Sequence, residues 1–247
     1  MSIEIRAPGA KVAVIGHRGA CGHAPENTMP AFHRGRELGA IWVEADVKKT
    51  ADGQFVLMHD QTVDRTTDGT GKVAELSLEK IRGLDAGAWF GAEYAGTNIP
   101  LLEELLSWAS SAGIGICLDL GAGLVPTDLC TIGKLVIEHG LAKETLAICW
   151  KMDPLCVLRE SCPGISIGIL YREDPDRVLK EARDARLDFL HPYRYLVSPE
   201  LIEEAHDAGL PVAASVDSDE EFVAERLSWG LDVTNCDHPD LPHRVRN

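Results

Sequence analysis

The stretch VAVIGHRGACGHAPENTMPAFHRGRELGAIWVEADVKK, residues 12–49, decides the architecture. Residues 12–16 and 42–47 are short runs, apolar or β-branched on both faces, as strands covered on both sides require. Residues 28–38 between them carry a helical pattern that stops at Gly39. The same rhythm continues outward. Strands are expected at 115–120, 145–150, 166–171, 188–191, 211–216 and 231–234, and helices at 101–111, 174–186, 198–208 and 218–229. Eight strand–helix alternations in 247 residues predict parallel pairing and closure into an α/β fold of the (β/α)8 TIM-barrel type. An open doubly wound sheet is the competing architecture, but no G-x-G-x-x-G follows the first strand.

One region breaks the rhythm. After the apolar run 55–60, residues 61–98 are polar and Gly-rich, with a turn at Asp68-Gly69 and a short helical pattern at 78–84. An excursion of that length is not a structureless loop in a compact domain. It is expected as a small cap inserted between the second strand and its helix, within a single domain spanning 1–247.

A net charge of −15 argues against nucleic acid or an anionic membrane as partner, because both repel such a surface. It leaves room for a small phosphorylated ligand where local cations offset the field. The seven cysteines are scattered, odd in number and without CxxC spacing, the pattern of a reducing compartment. No apolar stretch of signal-peptide or membrane-spanning type is present, so no membrane insertion and a cytoplasmic location are expected.

The chemistry collects at strand ends. Residues 12–16 run into His17-Arg18-Gly19, at the rim where barrel enzymes place their reactive groups. An arginine offers planar donors to phosphate oxygens and a histidine moves protons near neutral pH. Alone, this tripeptide fits a structural histidine beside an exposed arginine better than a catalytic pair. Glu44 and Asp46, two apart on a strand, point to one face. Two inward acids repel unless a proton or cation joins them, and hard oxygen ligands suit Mg2+ or Ca2+. A solvated edge is the other reading, which the flanking Trp42, Val43 and Val47 oppose. The run 55–58 then delivers His59 to the rim, with Asp60 placed to orient its imidazole. Two histidines, an arginine and a cation site are the parts of acid–base attack on a phosphodiester.

Taken in order and spacing, HRGACGHAPENTMPAF, VEADVKKTADGQFVLMHD, DRTTDGTG and IPLLEELL resemble the glycerophosphodiester phosphodiesterase family, with a fainter match through LHPYRYLVSPELIEEAHDAGLPV. The resemblance implies a barrel with a cap over the active site, one divalent cation as cofactor (Mg2+ or Ca2+), and a small phosphodiester as substrate. It also implies roles: His17 as proton acceptor, His59 as donor, Arg18 on phosphate, and Glu44 and Asp46 as metal ligands with an acid on the strand at 115–120. Glu44 and His59 would also touch substrate.

Two departures stand out. The family shows Glu-x-Lys where this chain has Asp119-Leu120-Gly121, so the acid is one methylene shorter and the lysine is gone. Lys151 and Arg172, at later strand ends, are the candidates to replace that cation, and His191 is expected either to line the mouth or, equally, to serve in capping or packing. A tryptophan-bearing stretch is also replaced, by Ala214-Ser215-Val216-Asp217, which alters the expected wall around the leaving alcohol. Competing functions are a related diesterase for lysophospholipids or sugar phosphodiesters, a cyclising lyase, and a non-catalytic phosphate-binding barrel. Water or the substrate's own hydroxyl could be the nucleophile.

Overall fold

The computed structural model describes residues 3–7, 10–216 and 219–245. Strand β1 (Ala13–Gly16) pairs in parallel with β2 (Trp42–Lys49) on one side and with β9 (Val233–Cys236) on the other. From β2 the sheet continues through β4 (Gly115–Leu120), β5 (Thr145–Cys149), β6 (Ser166–Tyr171) and β7 (Phe189–Pro192). From β9 it continues to β8 (Ala213–Ser215). A parallel bridge between Leu190 and Val212, with the Leu190 N–H donating to Pro211 at 2.9 Å, brings the two ends together. The eight parallel strands therefore form the barrel read from the alternation, and β3 (Phe55–Leu57) lies off it, antiparallel to β2.

Helices α1 (Met29–Glu37), α3 (Leu102–Ala112), α4 (Pro126–Glu138), α5 (Met152–Ser161), α6 (Pro175–Asp184), α7 (Pro199–Asp207) and α8 (Glu220–Ser228) alternate with the strands. The short α2 (Leu78–Arg82) lies in the excursion and α9 (Leu241–Arg244) follows the last strand. Helices α4 and α5 are not marked in the sequence pattern: α4 mixes β-branched residues with Gly133, and α5 carries a proline in its first turn. Here tertiary packing, with Leu129, Ile132, Leu155 and Leu158 buried, overrides weak propensity. The last strand begins two residues later than its pattern suggests. Asp232 is buried and accepts the Val212 N–H at 2.7 Å, so its side chain serves the preceding loop instead of the ladder. The helix expected at 218–229 is seen from Glu220, while Asp217 and Ser218 lie outside the described residues.

The inward faces change character along each strand. Trp42, Cys117, Phe189, Ala213 and Val233 belong to one buried apolar cluster. Two residues further on, and so on the same faces, stand Glu44, Asp119, His191, Ser215 and Asn235, which line a cavity. A filled apolar layer thus floors a polar chamber at the carboxyl ends of the strands. Burying a side chain such as Phe189 contributes roughly 1.5–3 kcal/mol, so the floor is rigid by the scale of local stability. The excursion has a small core of its own, with Val63, Val73, Ile81 and Ala86 packed on Val56 and Met58.

Candidate active site

The tightest backbone in the site is the turn after β1. A Cβ at Gly16 would lie 1.9 Å from the Gly19 carbonyl oxygen, and Gly19 has φ +93°, so side chains are excluded at both ends of Gly-His-Arg-Gly. Arg18 between them is held at φ 47°, a left-handed conformation costing of order 1 kcal/mol in a non-glycine residue. Two hydrogen bonds fix it: its N–H donates to Glu44 Oε2 at 2.7 Å, and its carbonyl accepts from the Asn27 N–H at 3.1 Å. Asn27 in turn clamps Asp46, donating to Oδ2 at 2.8 Å and accepting the Asp46 N–H at 3.1 Å. The loop bearing Glu26 and Asn27 therefore locks the arginine and the acids into one frame.

Asp46 and Asp119 are cross-strand neighbours, and Glu44 sits two residues before Asp46. One ligand oxygen from each of the three lies within 4.8 Å of the others. Glu44 is 2% and Asp46 4% exposed. Burial, reinforced by repulsion from Asp46 and Asp119, drives the Glu44 carboxyl well above its usual range. Burial and then Asp46 push Asp119 up to about 7. Three carboxylates so placed are a costly arrangement without a cation and a suitable oxygen cage with one, so the donor set fits Mg2+ or Ca2+. Arg18 offsets part of the charge. Its Nη1 donates to Glu26 at 2.8 Å and its Nε lies 3.5 Å from Asp46 Oδ2. Burial alone would ease its deprotonation, but Asp46, Glu26 and Glu44 outweigh burial and hold the guanidinium charged.

This has a measurable consequence for stability. Asp119 is raised in the folded state, so that state binds a proton which the unfolded chain has released. The stability this contributes is full below the ordinary aspartate value and lost as pH climbs through about 7. The gap in Tm between cation-saturated and chelated protein should widen across that interval. A gap that stays constant with pH would contradict the arrangement.

Both predicted histidines face the chamber, and both are oriented alike. His17 Nδ1 lies 2.7 Å from Asp237 Oδ1. Burial opposes ionisation of Asp237, yet hydrogen bonds from His17 and Cys21 hold it down to about 2. His59 Nδ1 lies 2.7 Å from Asp60 Oδ1, and Asp60 is held at about 2, chiefly by the Arg65 guanidinium. An ionised carboxylate only accepts, so each Nδ1 carries a proton and each Nε2 is left to give or take one. Arg65 also grips Glu26 through both terminal nitrogens, at 2.8 and 2.7 Å. His59, Asp60, Arg65, Glu26 and Arg18 are therefore linked in series.

His191 is 1% exposed, and neither ring nitrogen has a hydrogen-bond partner among the described residues. Burial lowers its pKa to about 4, so it presents a neutral imidazole to the chamber. Arg172 stacks between Trp150 and Tyr193, its Cζ 4.5 and 4.9 Å from the ring centroids. Where the sequence suggested an altered wall, Trp150, directly after β5, places an aromatic ring in the chamber lining. Lys151 needs correction: it is exposed and lines a neighbouring surface cleft instead of the chamber, because Trp150 before it takes the inward direction.

A buried cation does stand beside Gly121, at Lys48, a residue the sequence pattern did not single out. Lys48 is only 6% exposed, and a Cβ built on Gly121 would lie 2.6 Å from its Nζ. Its charge also restrains the rise of Asp119. The signal was present: Glu44, Asp46 and Lys48 share one parity on β2. Asp237, Glu26, Asn27 and Arg65 were also missed as partners, since each acts across a long sequence separation.

The chamber, about 420 Å³, brings together His17, Arg18, Glu44, Asp46, His59, Asp119, Arg172 and His191. Residues 17–241 match the Glycerophosphoryl diester phosphodiesterase family. A glycerophosphodiester phosphodiesterase of Caldanaerobacter subterraneus is 32% identical over 232 residues, covering 93% of this chain and 96% of the relative. A phosphodiesterase of Oleispira antarctica, solved in complex with the product sn-glycerol-3-phosphate, superposes with a TM-score of 0.89 at 29% identity, covering 94% and 96% of the two chains. A glycerophosphodiester phosphodiesterase of Agrobacterium tumefaciens does so with a TM-score of 0.82 at 27% identity, covering 94% and 99%.

Proposed function

The chain belongs to the glycerophosphoryl diester phosphodiesterase family and is a phosphoric diester hydrolase, and from that premise we propose that it cleaves glycerophosphodiesters to glycerol 3-phosphate and an alcohol by cation-assisted acid–base catalysis at His17 and His59. The observation that carries this reading is the chamber itself. Two carboxylate-oriented imidazoles, an arginine and three converging acids share it.

A divalent cation, Mg2+ or Ca2+, held by Glu44, Asp46 and Asp119 would polarise a phosphoryl oxygen and neutralise its charge. Arg18, with a buried Nε that has no hydrogen-bond partner among the described residues, offers a donor to a second phosphoryl oxygen. His17 takes the proton of the nucleophile at Nε2, and Asp237 stabilises the imidazolium that results. His59 protonates the departing alcohol oxygen while Asp60 and Arg65 hold the ring in place. Water as nucleophile needs these two transfers once; the substrate's neighbouring hydroxyl would use them to expel the alcohol and form a cyclic phosphate, which water would then open with the proton transfers run in reverse. His191, uncharged and unpartnered, is suited to a glycerol hydroxyl, and Arg172 in its aromatic frame to the far end of the substrate. Residues 61–98 serve as the cap, tied to the site by Arg65 and by the Tyr94 hydroxyl on the His23 carbonyl at 3.1 Å. The free cysteines favour the cytoplasm as compartment.

A panel of glycerophosphodiesters with different alcohols, supplied with cation, should release glycerol 3-phosphate. Turnover of other diesters with none of these hydrolysed would overturn the assignment.

Lys48 fills the electrostatic role vacated at Gly121. Its Nζ lies beside Gly121 and its charge reaches Asp119, so Lys48→Met should lower kcat/KM by about ten- to a hundredfold through the weaker positive field at the acids. Cation affinity should hold or tighten, since a like charge has gone. Collapse of cation binding instead would make Lys48 a merely structural residue.

A further inference from the structure

We propose that His23, His238 and Asp240 form a second metal site, selective for a Zn2+-class transition ion, joining the loop after β1 to the loop after β9. The inference stands on these three side chains and does not depend on the hydrolytic reading.

His23 Nε2 lies 3.0 Å from His238 Nδ1 and 3.4 Å from Asp240 Oδ1, and the three donor atoms fall within 4.8 Å of one another. An ion bound tetrahedrally at about 2.0–2.2 Å holds neighbouring donors roughly 3.3 Å apart. Both contacts of His23 are therefore already at that spacing, and the remaining pair is within reach of it. The imidazole rings stand at 81° to each other with centroids 4.8 Å apart, so the two nitrogens approach without the rings colliding, and a small rotation of the side chains would turn both toward one ion.

Hydrogen bonding alone leaves the cluster incomplete. Two facing nitrogens can share a single proton, and Asp240 Oδ1 is then buried without a hydrogen bond among the described residues. One cation satisfies all three atoms together. The surroundings also fix the ligands. The Gly22 N–H donates to the Asp237 carbonyl at 3.0 Å, bracing one loop on the other. The His238 ring packs directly on Gly22, where a Cβ would lie 2.4 Å from it. The other Asp240 oxygen pairs with Arg244. His23 and Asp240 keep about a quarter of their side-chain surface, 28% and 25%, so the cluster lies close to solvent, from which a water could complete the coordination.

Donor chemistry separates this place from the chamber. Three carboxylates favour hard Mg2+ or Ca2+, whereas two imidazoles and one carboxylate favour Zn2+, Ni2+ or Cu2+. An ion at His238 would anchor the backbone next to Asp237, which holds His17.

The test is equilibrium dialysis of the full chain against Zn2+ with Ca2+ in excess, read by metal analysis. One Zn2+ per chain is expected for the parent and for Asp119→Asn. His23→Gln and His238→Gln should each weaken it by roughly a hundredfold or more. Co2+ loaded in place of Zn2+ should give the visible d–d bands of a tetrahedral nitrogen–oxygen site, absent in both histidine variants. Circular dichroism of each variant establishes that it is folded. Zn2+ retained undiminished in both folded variants, lost instead in Asp119→Asn, or not bound by the parent would overturn the proposal.

Discussion

His17→Ala should lower kcat/KM by about 10³-fold or more, with the fold and the cation site left intact, because general acid–base groups contribute roughly 10²–10⁴ each. The expectation follows from how the ring is held. Asp237, ionised down to about 2, fixes the proton on Nδ1 and leaves Nε2 as the base. Asp237→Asn should then cost nearly as much, since an amide that donates to Nδ1 selects the wrong tautomer, at a cost of up to about 10⁴ in the serine protease precedent. His59→Ala should fall by a comparable factor on natural diesters but recover strongly on a diester whose leaving group is an acidic phenol, which departs without protonation. His17→Ala should show no such recovery. Equal losses on both substrates for His59→Ala would remove its role as acid. Parental activity in His17→Ala would remove the base.

The second large effect concerns the acids. Glu44→Gln and Asp119→Asn should each weaken Ca2+ or Mg2+ by more than about a hundredfold and abolish turnover at cation levels that saturate the parent. Each change removes a charged oxygen from a trio whose members now repel one another. Neutralising one acid should also relieve that repulsion. The chelated variants should therefore be more stable than the chelated parent at alkaline pH, although they bind cation less well. Calorimetry of the chelated proteins checks the sign, and isothermal titration checks the affinity. Turnover in Glu44→Gln that still saturates at the parental cation concentration would show that the trio is not the ligand set.

The barrel was legible because parallel strands covered on both faces leave continuous apolar runs, and because Gly39, Gly113, Gly209 and Gly230 stop the intervening helices. Glu44, Asp46 and Asp119 were legible for a related reason: a charge inside an otherwise buried run needs a partner, and period two assigns its face. What stayed hidden depends on distance in three dimensions. Asp237 lies 220 residues from His17, and Glu26 lies 39 from Arg65, so no local spacing reports either pair. Lys151 misled because a strand's end does not say which residue is the last to face inward; the Trp150 side chain takes that place. Lys48 shows the reverse case. Its parity with Glu44 and Asp46 was readable, but a lysine beside acids on a strand suggests a solvated edge until the barrel closes around it.

In the proposed mechanism an oxygen-bound cation and two oriented imidazoles address the same phosphate within one chamber. A crystal grown with Ca2+ and glycerol 3-phosphate tests this directly. Difference density should place one ion among the carboxylates of Glu44, Asp46 and Asp119, with the phosphate within hydrogen-bond reach of Arg18 and of the Nε2 atoms of His17 and His59. A phosphate seated away from those imidazoles, or an ion outside that trio, would contradict it.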